Sequence, residues 1–491
     1  MSKVLLFYPR TGWDVKNVSV VLPLSVMLLG RPLRRAGYKP IIIDQRIDHH
    51  WKRTLQEHLR DGDVAAVGVS AMTGFQIKGG LEASKLVRHV APDVPIVWGG
   101  VHPSLLPMET IADPAVDYVV WGEGEESLIE LLDALKDTRD PVGIPGVSYM
   151  NRHGEPVHGG ARPFLKDLSD VLIPDYDLVD VADYITTQTL GERDLAIMTS
   201  RGCPSRCSFC YNVAYANRRW RSQPAEAVVD HIELITKQFG IDAILVKDDN
   251  FFVSKKRVAA IAEELNRRNV KVIVRAECRA DYVSRSYDHD FLTHLYDTGF
   301  QEMTVGAESG TEIGLDILAK DISVENIREA NRRLGAARIA TKFTFMSGFP
   351  GETWESIQAT LKLMLDLVKE NPYARATPLH LYAPYPGTPL YDQAVRHGWT
   401  PPETLAGWAA VDFHEIDMPW IEPHLQKMLE RMSVSTYFLD GRTMPEYFAA
   451  SPMMSLASRV YGSVVRWRAR NNYFRMMPEL WLMEQYRKVY A

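Results

Sequence analysis

The chain has 491 residues, 46% of them hydrophobic and 24% charged, which is enough for two or three domains with a core each. A formal charge of −6 supplies no overall cationic field, which argues against nucleic acid held by its phosphates and leaves any basic patch local. No leader-like or bilayer-length apolar run is present, so the expectation is a cytoplasmic protein without a transmembrane segment; of four cysteines only Cys278 stands apart from a tight group of three, a poor disulfide framework but a fit to a metal site.

Residues 1–140 alternate short apolar runs with helix-period segments, the pattern of βα units on a parallel, doubly wound Rossmann-like sheet. Strands are predicted at Val4–Tyr8, Pro40–Asp44, Ala65–Ser70, Ile96–Gly99 and Tyr118–Trp121. Helices are predicted at Leu24–Ala36, kinked by Pro32, and at Trp51–Arg60, Gln76–Val90 and Ser127–Leu135. Ligands of such sheets bind outside the carboxyl ends of the strands. Those ends read Ser70-Ala71-Met72-Thr73-Gly74, Gly99-Gly100-Val101-His102-Pro103-Ser104 and Gly122-Glu123-Gly124-Glu125. Their glycines let a bulky flat ligand approach the backbone, although any one loop alone reads equally well as a tight turn.

Residues 141–194, rich in Pro, Gly and Asp, read as a linker with a small hairpin. A second βα series occupies 195–400, with strands predicted at Ala196–Thr199, Ala243–Asp248, Val272–Cys278, Glu302–Ala307, Lys342–Ser347 and Leu379–Ala383. Six strands separated by helices predict a partial (β/α)6 barrel, and 401–491 reads as a helical region covering substrate.

Cys203, Cys207 and Cys210 follow a predicted strand and Gly202 at spacings of four and three residues, close enough to wrap three irons of a cubane cluster and leave the fourth open. A structural zinc site would need a fourth ligand, and His231 and Cys278 lie in other predicted elements. On the barrel strands, Arg275, Glu277 and Arg279 share one face, as do Glu302, Thr304, Gly306 and Glu308. Such rows of charge either pair with one another or receive a polar guest.

The cysteine loop, with Phe209 before its last cysteine, resembles the cluster loop of the radical SAM superfamily. That resemblance implies a [4Fe-4S] cluster whose unique iron chelates S-adenosylmethionine. It further implies that Asp248 and Asp249 lie near the amino group of that molecule, Glu308 near its ribose and methionine portion, and Gly348 and Pro350 near its adenine. Arg279 is expected in the same cavity, and Tyr385 in the segment that closes the barrel. With this half in place, Ser70, Met72, Thr73, Gly74, Gly99, Gly100, Val101, His102, Gly122, Glu123, Gly124 and Glu125 resemble the cobalamin loops of class B, cobalamin-dependent radical SAM enzymes. Many cobalamin proteins ligate cobalt through an Asp-x-His-x-x-Gly motif, but Asp48-His49-His50-Trp51-Lys52-Arg53 lacks its glycine. The resemblance therefore implies cobalamin with its lower face covered by Met72, Thr73, Gly74 or Phe75, and His102 bonded to the corrin edge or tail, with ligation of cobalt as the rival role.

Two reactions share these cofactors: methylation of an unactivated carbon with methylcobalamin as donor, which is the commoner outcome in the family, and an oxidative cyclisation, ring contraction or hydration. A non-catalytic cobalamin sensor would need a degenerate S-adenosylmethionine site, and none of its expected residues is missing. Expected partners are a small-molecule or lipid-like substrate and an external electron donor such as flavodoxin or ferredoxin. The C-terminal inventory comprises Met428, Met432, Met444, Met453, Met454, Met476, Met477 and Met483 with Trp467, Tyr473, Phe474, Trp481 and Tyr486, read as packing. Arg459, Arg466, Arg468, Arg470 and Arg475, interleaved with it, add a weaker expectation of an anionic substrate or peripheral membrane contact.

Overall fold

A computed structural model of the chain describes all residues except 13, 15–18, 412–415, 441–451, 472, 475–476 and 482–491; of the side chains of 452–460 it describes Leu456. Met444, Met476, Met483, Tyr486 and Arg475, and the side chains of Met453, Met454 and Arg459, fall outside the described set. The chain divides into two units, Met1–Lys16, Val20–Tyr184 and Pro401–Asp412 in the first, and Asn17–Ser19, Ile185–Thr400 and Phe413–Ala491 in the second.

The first unit is built on seven strands: β1 Lys3–Tyr8, β2 Lys39–Asp44, β3 Val64–Ser70, β4 Ile96–Gly99, β5 Tyr118–Val120, β6 Val147–Met150 and β7 Pro156–His158. Their order is 2-1-3-4-5-6-7, parallel as far as β5 and antiparallel beyond it. The strands are nearly continuous apolar runs because helices cover both faces. Val4, Leu6, Ala66, Val97 and Val120 pack against Val26, Leu33, Leu128 and Leu131. Strand order reverses between β1 and β3, so the crevice for a ligand opens at the carboxyl ends of these strands.

Three local readings of the sequence are corrected in this unit. The first helix is two, Leu24–Met27 and Gly30–Arg35, and Pro32 lies in the first turn of the second, where its missing N–H has no helical partner to lose. The interruption falls before Gly30, where a Cβ would meet Leu178 at 2.4 Å and Asp175 at 2.9 Å. The 141–194 segment is more than a linker: β6 and β7 extend the sheet, and Tyr184 donates to buried Asp44 at 2.9 Å. Nor does the whole of 401–491 stand apart, because Pro401–Asp412 belongs to the first unit, where the buried Trp408 indole donates to Glu109 at 3.0 Å.

In the second unit β8 (Asp194–Ile197), β11 (Ala243–Val246), β12 (Ile273–Cys278), β13 (Phe300–Glu308), β14 (Ala340–Ser347) and β15 (Ala374–Leu381) form one parallel sheet in chain order, the partial barrel. A short antiparallel pair, β9 (Ser200–Arg201) and β10 (Arg221–Ser222), clasps the cysteine loop. β15 begins five residues before the predicted Leu379, because Pro378 reads as a breaker; β15 is an edge strand, and a register shift against β14 accommodates the proline. Among the described residues no helix is long and apolar enough to cross a membrane. Arg468 is not on the surface: it is buried in an ion pair with Glu479 at 2.7 Å.

Candidate active site

The cysteine loop is held at the carboxyl end of the barrel. Gly202 has φ +82°, and a Cβ there would lie 2.0 Å from the carbonyl oxygen of Arg219, so only glycine lets the loop leave the clasp. Ser208 donates from N–H to the Leu318 carbonyl and from Oγ to that of Ile317, while its own carbonyl accepts from Leu390 N–H. Two distant segments, at Ile317–Leu318 and at Leu390, thereby fix one loop. Asn250 Nδ2 donates to Cys203 Sγ at 3.5 Å, and Arg279 Nη1 approaches Cys207 Sγ at 3.7 Å. Burial pushes the Cys210 thiol up to about 12, and Cys207 and Cys203 add to the same effect. A thiol set of this kind is stabilised as thiolate by cations; Arg279 stands beside it, and iron fits it. Cys278 is no fourth ligand: its Sγ is buried and donates to the Arg279 carbonyl at 3.4 Å.

The barrel interior separates into layers. At the bottom, Arg275 donates to Asp194 at 2.5 Å and to Glu302 at 2.9 Å, and Lys342 reaches Glu302 at 3.1 Å. The row of charge expected from alternation is, at this level, a self-satisfied plug. Above it Glu277 is open to the lumen, and its carboxyl is pushed up to about 6 by burial, with Lys247 opposing and Glu308 reinforcing the shift. At the top, Glu308 accepts from Lys320 at 2.9 Å. Its φ of +64° sits at a register shift between β13 and β14, which turns the side chain. Burial lowers the Lys320 ammonium, but Glu308 and Cys207 outweigh it and hold it charged, 5.7 Å from the Phe209 ring centroid.

Asp248 is corrected. It is 2% exposed and accepts from Thr199 N–H, Thr199 Oγ1 and Ser200 Oγ, each at 2.6 Å, so it ties β11 to the clasp and has no carboxylate edge for a ligand. Asp249 likewise receives Gly202 N–H at 2.8 Å and Tyr211 OH at 3.0 Å. The residue of this loop that reaches a cysteine is Asn250. Lys320 and Glu277 also escaped selection, although the alternation of β12 had put Glu277 on the inner face. Gly348 (φ +85°) heads a loop closed by Glu352, which accepts from Gly348 N–H at 2.6 Å and is pushed up to about 8 by burial; Pro350 is buried in the same loop. Tyr385 lies in the closing segment, where its carbonyl accepts from Thr388 Oγ1 at 2.8 Å.

In the first unit the expected loops gather at the carboxyl ends of β3, β4 and β5. Gly100 (φ +97°) crosses so close to Ala71 that a Cβ would stand 2.8 Å from its carbonyl oxygen, and Gly74 (φ +102°) is similarly pressed to the Val411 carbonyl. Met72 and Phe75 remain 43% and 38% exposed at this edge, an apolar face suited to a corrin. Ser70 bonds Ser25 at 3.0 Å, Val101 opens the helix Val101–Leu105, and Gly122 N–H donates to Ser104 Oγ at 2.9 Å. Gly99 and Gly124 flank the same edge. Glu123 and Glu125 are buried, and Glu123 accepts from Leu165 N–H, so its carboxylate serves the fold. His102 is also corrected: it is wholly buried, bonded through Nδ1 to Thr73 Oγ1 at 3.0 Å, covered by Trp408 at 5.6 Å and lowered to about 4 by burial. It braces the Ser70–Gly74 loop from within, and its Nε2 is buried with no hydrogen-bond partner among the described residues.

The B12 binding domain model matches residues 15–132, and the Radical SAM superfamily model matches 197–364. The second unit therefore carries a radical SAM core. The chain thus pairs a B12-binding domain with a radical SAM domain, and its cofactors are a [4Fe-4S] cluster, S-adenosylmethionine and cobalamin. An uncharacterized methyltransferase of Pyrococcus horikoshii is 28% identical over 406 residues, 81% of this chain and 84% of that one. The anaerobic magnesium-protoporphyrin IX monomethyl ester cyclase of Cereibacter sphaeroides is 28% identical over 378 residues, 76% of this chain but 60% of its own. Among solved structures, the radical S-adenosylmethionine methyltransferase TsrM of Kitasatospora setae, with cobalamin and a [4Fe-4S] cluster bound, superposes with a TM-score of 0.67 at 23% identity over 81% of this chain and 78% of that one.

Proposed function

We propose that the protein methylates an unactivated carbon of a small-molecule or lipid-like substrate. The observation that carries this reading is a three-thiol loop, with no fourth protein ligand among the described residues, in a chain that also folds a cobalamin-type cradle. When bound, the cluster and S-adenosylmethionine supply homolytic hydrogen abstraction, and cobalamin supplies a transferable methyl group. The chain's own part is positional. Cys203, Cys207 and Cys210 hold iron, Arg279 and Lys320 offset the thiolate charge, and the Asp194–Arg275–Glu302–Lys342 plug closes the barrel floor against water. Met72 and Phe75 offer the apolar face for cobalamin, with Gly74 and Gly100 giving it room. The reaction needs an external one-electron donor of the flavodoxin or ferredoxin kind. A cytoplasmic setting suits oxygen-sensitive iron and four free thiols, and peripheral membrane contact would bring a lipid-like substrate within reach.

The methyltransferase names of the Pyrococcus relative and of TsrM support methylation; the cyclase relative favours a non-methylating oxidation as the second reading. Anaerobic protein given iron, sulfide, dithionite and S-adenosylmethionine should release 5'-deoxyadenosine, and alanine at any of the three cysteines should abolish this. Turnover with cell extracts should then give a product heavier by one methylene, with 5'-deoxyadenosine and S-adenosylhomocysteine in equal yield. A product that has lost hydrogen or gained oxygen would overturn methylation in favour of the second reading.

A further inference from the structure

The helix Pro452–Asn471 is held to the second unit by one face. Buried Glu479 fixes it there, accepting from Arg468 at 2.7 Å, from Tyr461 OH at 2.9 Å and from Ser435 Oγ at 3.0 Å, with Val465 and Ala469 buried beside them. With about 3.6 residues to a turn, Leu456, Ser463, Val464, Trp467, Arg470 and Asn471 fall on the other face, and all six are exposed. Leu456 is 65% exposed, Trp467 56%, and Trp481, two residues beyond Glu479, 63%. Tyr473 adds its ring to that of Trp467, with centroids 5.9 Å apart. Tryptophan is well buried on average, so an outward helix face that carries one open indole beside leucine, valine and tyrosine marks an interaction surface.

Charge decides what that surface meets. Residues 452–478 contain five arginines and neither an acidic residue nor a lysine, in a chain whose formal charge is −6. Arg468 is spent on Glu479, and Arg466 on the Leu439 carbonyl and Ser463 Oγ. Arg470 is exposed and has no acidic partner among the described residues. A second copy of the chain seated on this face would set arginine against arginine across the contact, which costs rather than stabilises. A bilayer surface containing acidic phospholipid suits both halves of the inventory, since indole rings settle at the headgroup level and a guanidinium reaches phosphate. We infer that the outward face of the helix Pro452–Asn471, together with Trp481, is a docking surface for a membrane containing anionic phospholipid. The inference gives the peripheral contact a place on the chain, and it rests on the proposed function for the lipid-like substrate that such docking would serve.

The test sediments the full-length protein with vesicles of phosphatidylcholine alone and of phosphatidylcholine with phosphatidylserine in equal parts. Wild type should bind the mixed vesicles more tightly than the neutral ones, and this binding should weaken as ionic strength rises. Trp467→Ser/Trp481→Ser should bind the mixed vesicles at least about tenfold more weakly, whereas Trp467→Phe/Trp481→Phe should stay close to wild type. Arg470→Gln should weaken binding to the mixed vesicles about fivefold and leave the neutral ones unaffected. All variants should keep the wild-type melting temperature and release 5'-deoxyadenosine with dithionite as wild type does, which separates docking from damage to the fold. A wild type that binds neither kind of vesicle, or a serine variant that binds as well as wild type, would overturn the surface. A wild type that is dimeric in gel filtration and becomes monomeric in the serine variant would overturn it in favour of a second copy. Binding as expected with no methylated product on turnover would uphold the surface and overturn the methylation reading instead.

Discussion

At Gly100 a single missing methyl group decides whether two strands' loops can cross. Gly100→Ala adds a Cβ 2.8 Å from the Ala71 carbonyl at φ +97°, and the backbone strain alone costs about 1–2 kcal/mol. Its expected outcome is loss of cobalamin from the reconstituted protein, read from the corrin absorbance. Asp248 makes the opposite kind of contribution, since its three donors are buried and each orphaned donor costs about 1–3 kcal/mol. Asp248→Ala should therefore lower the melting temperature in thermal unfolding, whereas a pure ligand contact would change only affinity for S-adenosylmethionine. Glu352, raised from 4.5 to about 8, is protonated in the folded chain at neutral pH. The stability given by its neutral form is complete below pH 4.5 and lost as pH rises through about 8. The melting temperature should accordingly fall as pH rises from about 4.5 to about 8 and level off above that, and Glu352→Gln should flatten the fall.

Among the elements, the short helix Leu405–Trp408 shows how a segment far along the chain completes the first unit. Trp408 is wholly buried, covers the His102 ring and bonds Glu109. Trp408→Ala should cost about 3–5 kcal/mol of stability in chemical denaturation and loosen the Ser70–Gly74 loop, lowering cobalamin affinity with iron content unchanged. The bulge of β13 has a similar local purpose, because the register shift beside Glu308 turns that carboxylate onto Lys320. Sequence periodicity located β13, β14 and three of the four helices it predicted in the first unit within a few residues. It could not see the bulge, since a one-residue shift leaves the apolar alternation on either side intact.

For the molecule as a whole, the two units have separate sheets and separate cores. A cobalamin-free Gly100→Ala protein should still cleave S-adenosylmethionine reductively, releasing 5'-deoxyadenosine with dithionite, while methylated product disappears; failure of both together would show that the units do not function separately. Strand and helix alternation, the compact three-cysteine loop and the glycine-bearing strand ends were all legible in the sequence, because each is a short-range pattern of spacing or backbone freedom. What tertiary structure alone decided is which polar side chains remain available. Asp248 is consumed by Thr199 and Ser200, His102 is sealed beneath Trp408, Arg275 and Glu302 neutralise each other, and Asn250 is left to reach Cys203. A polar group's role depends on whether a partner satisfies it, and those partners are brought near by folding from positions that no local window contains.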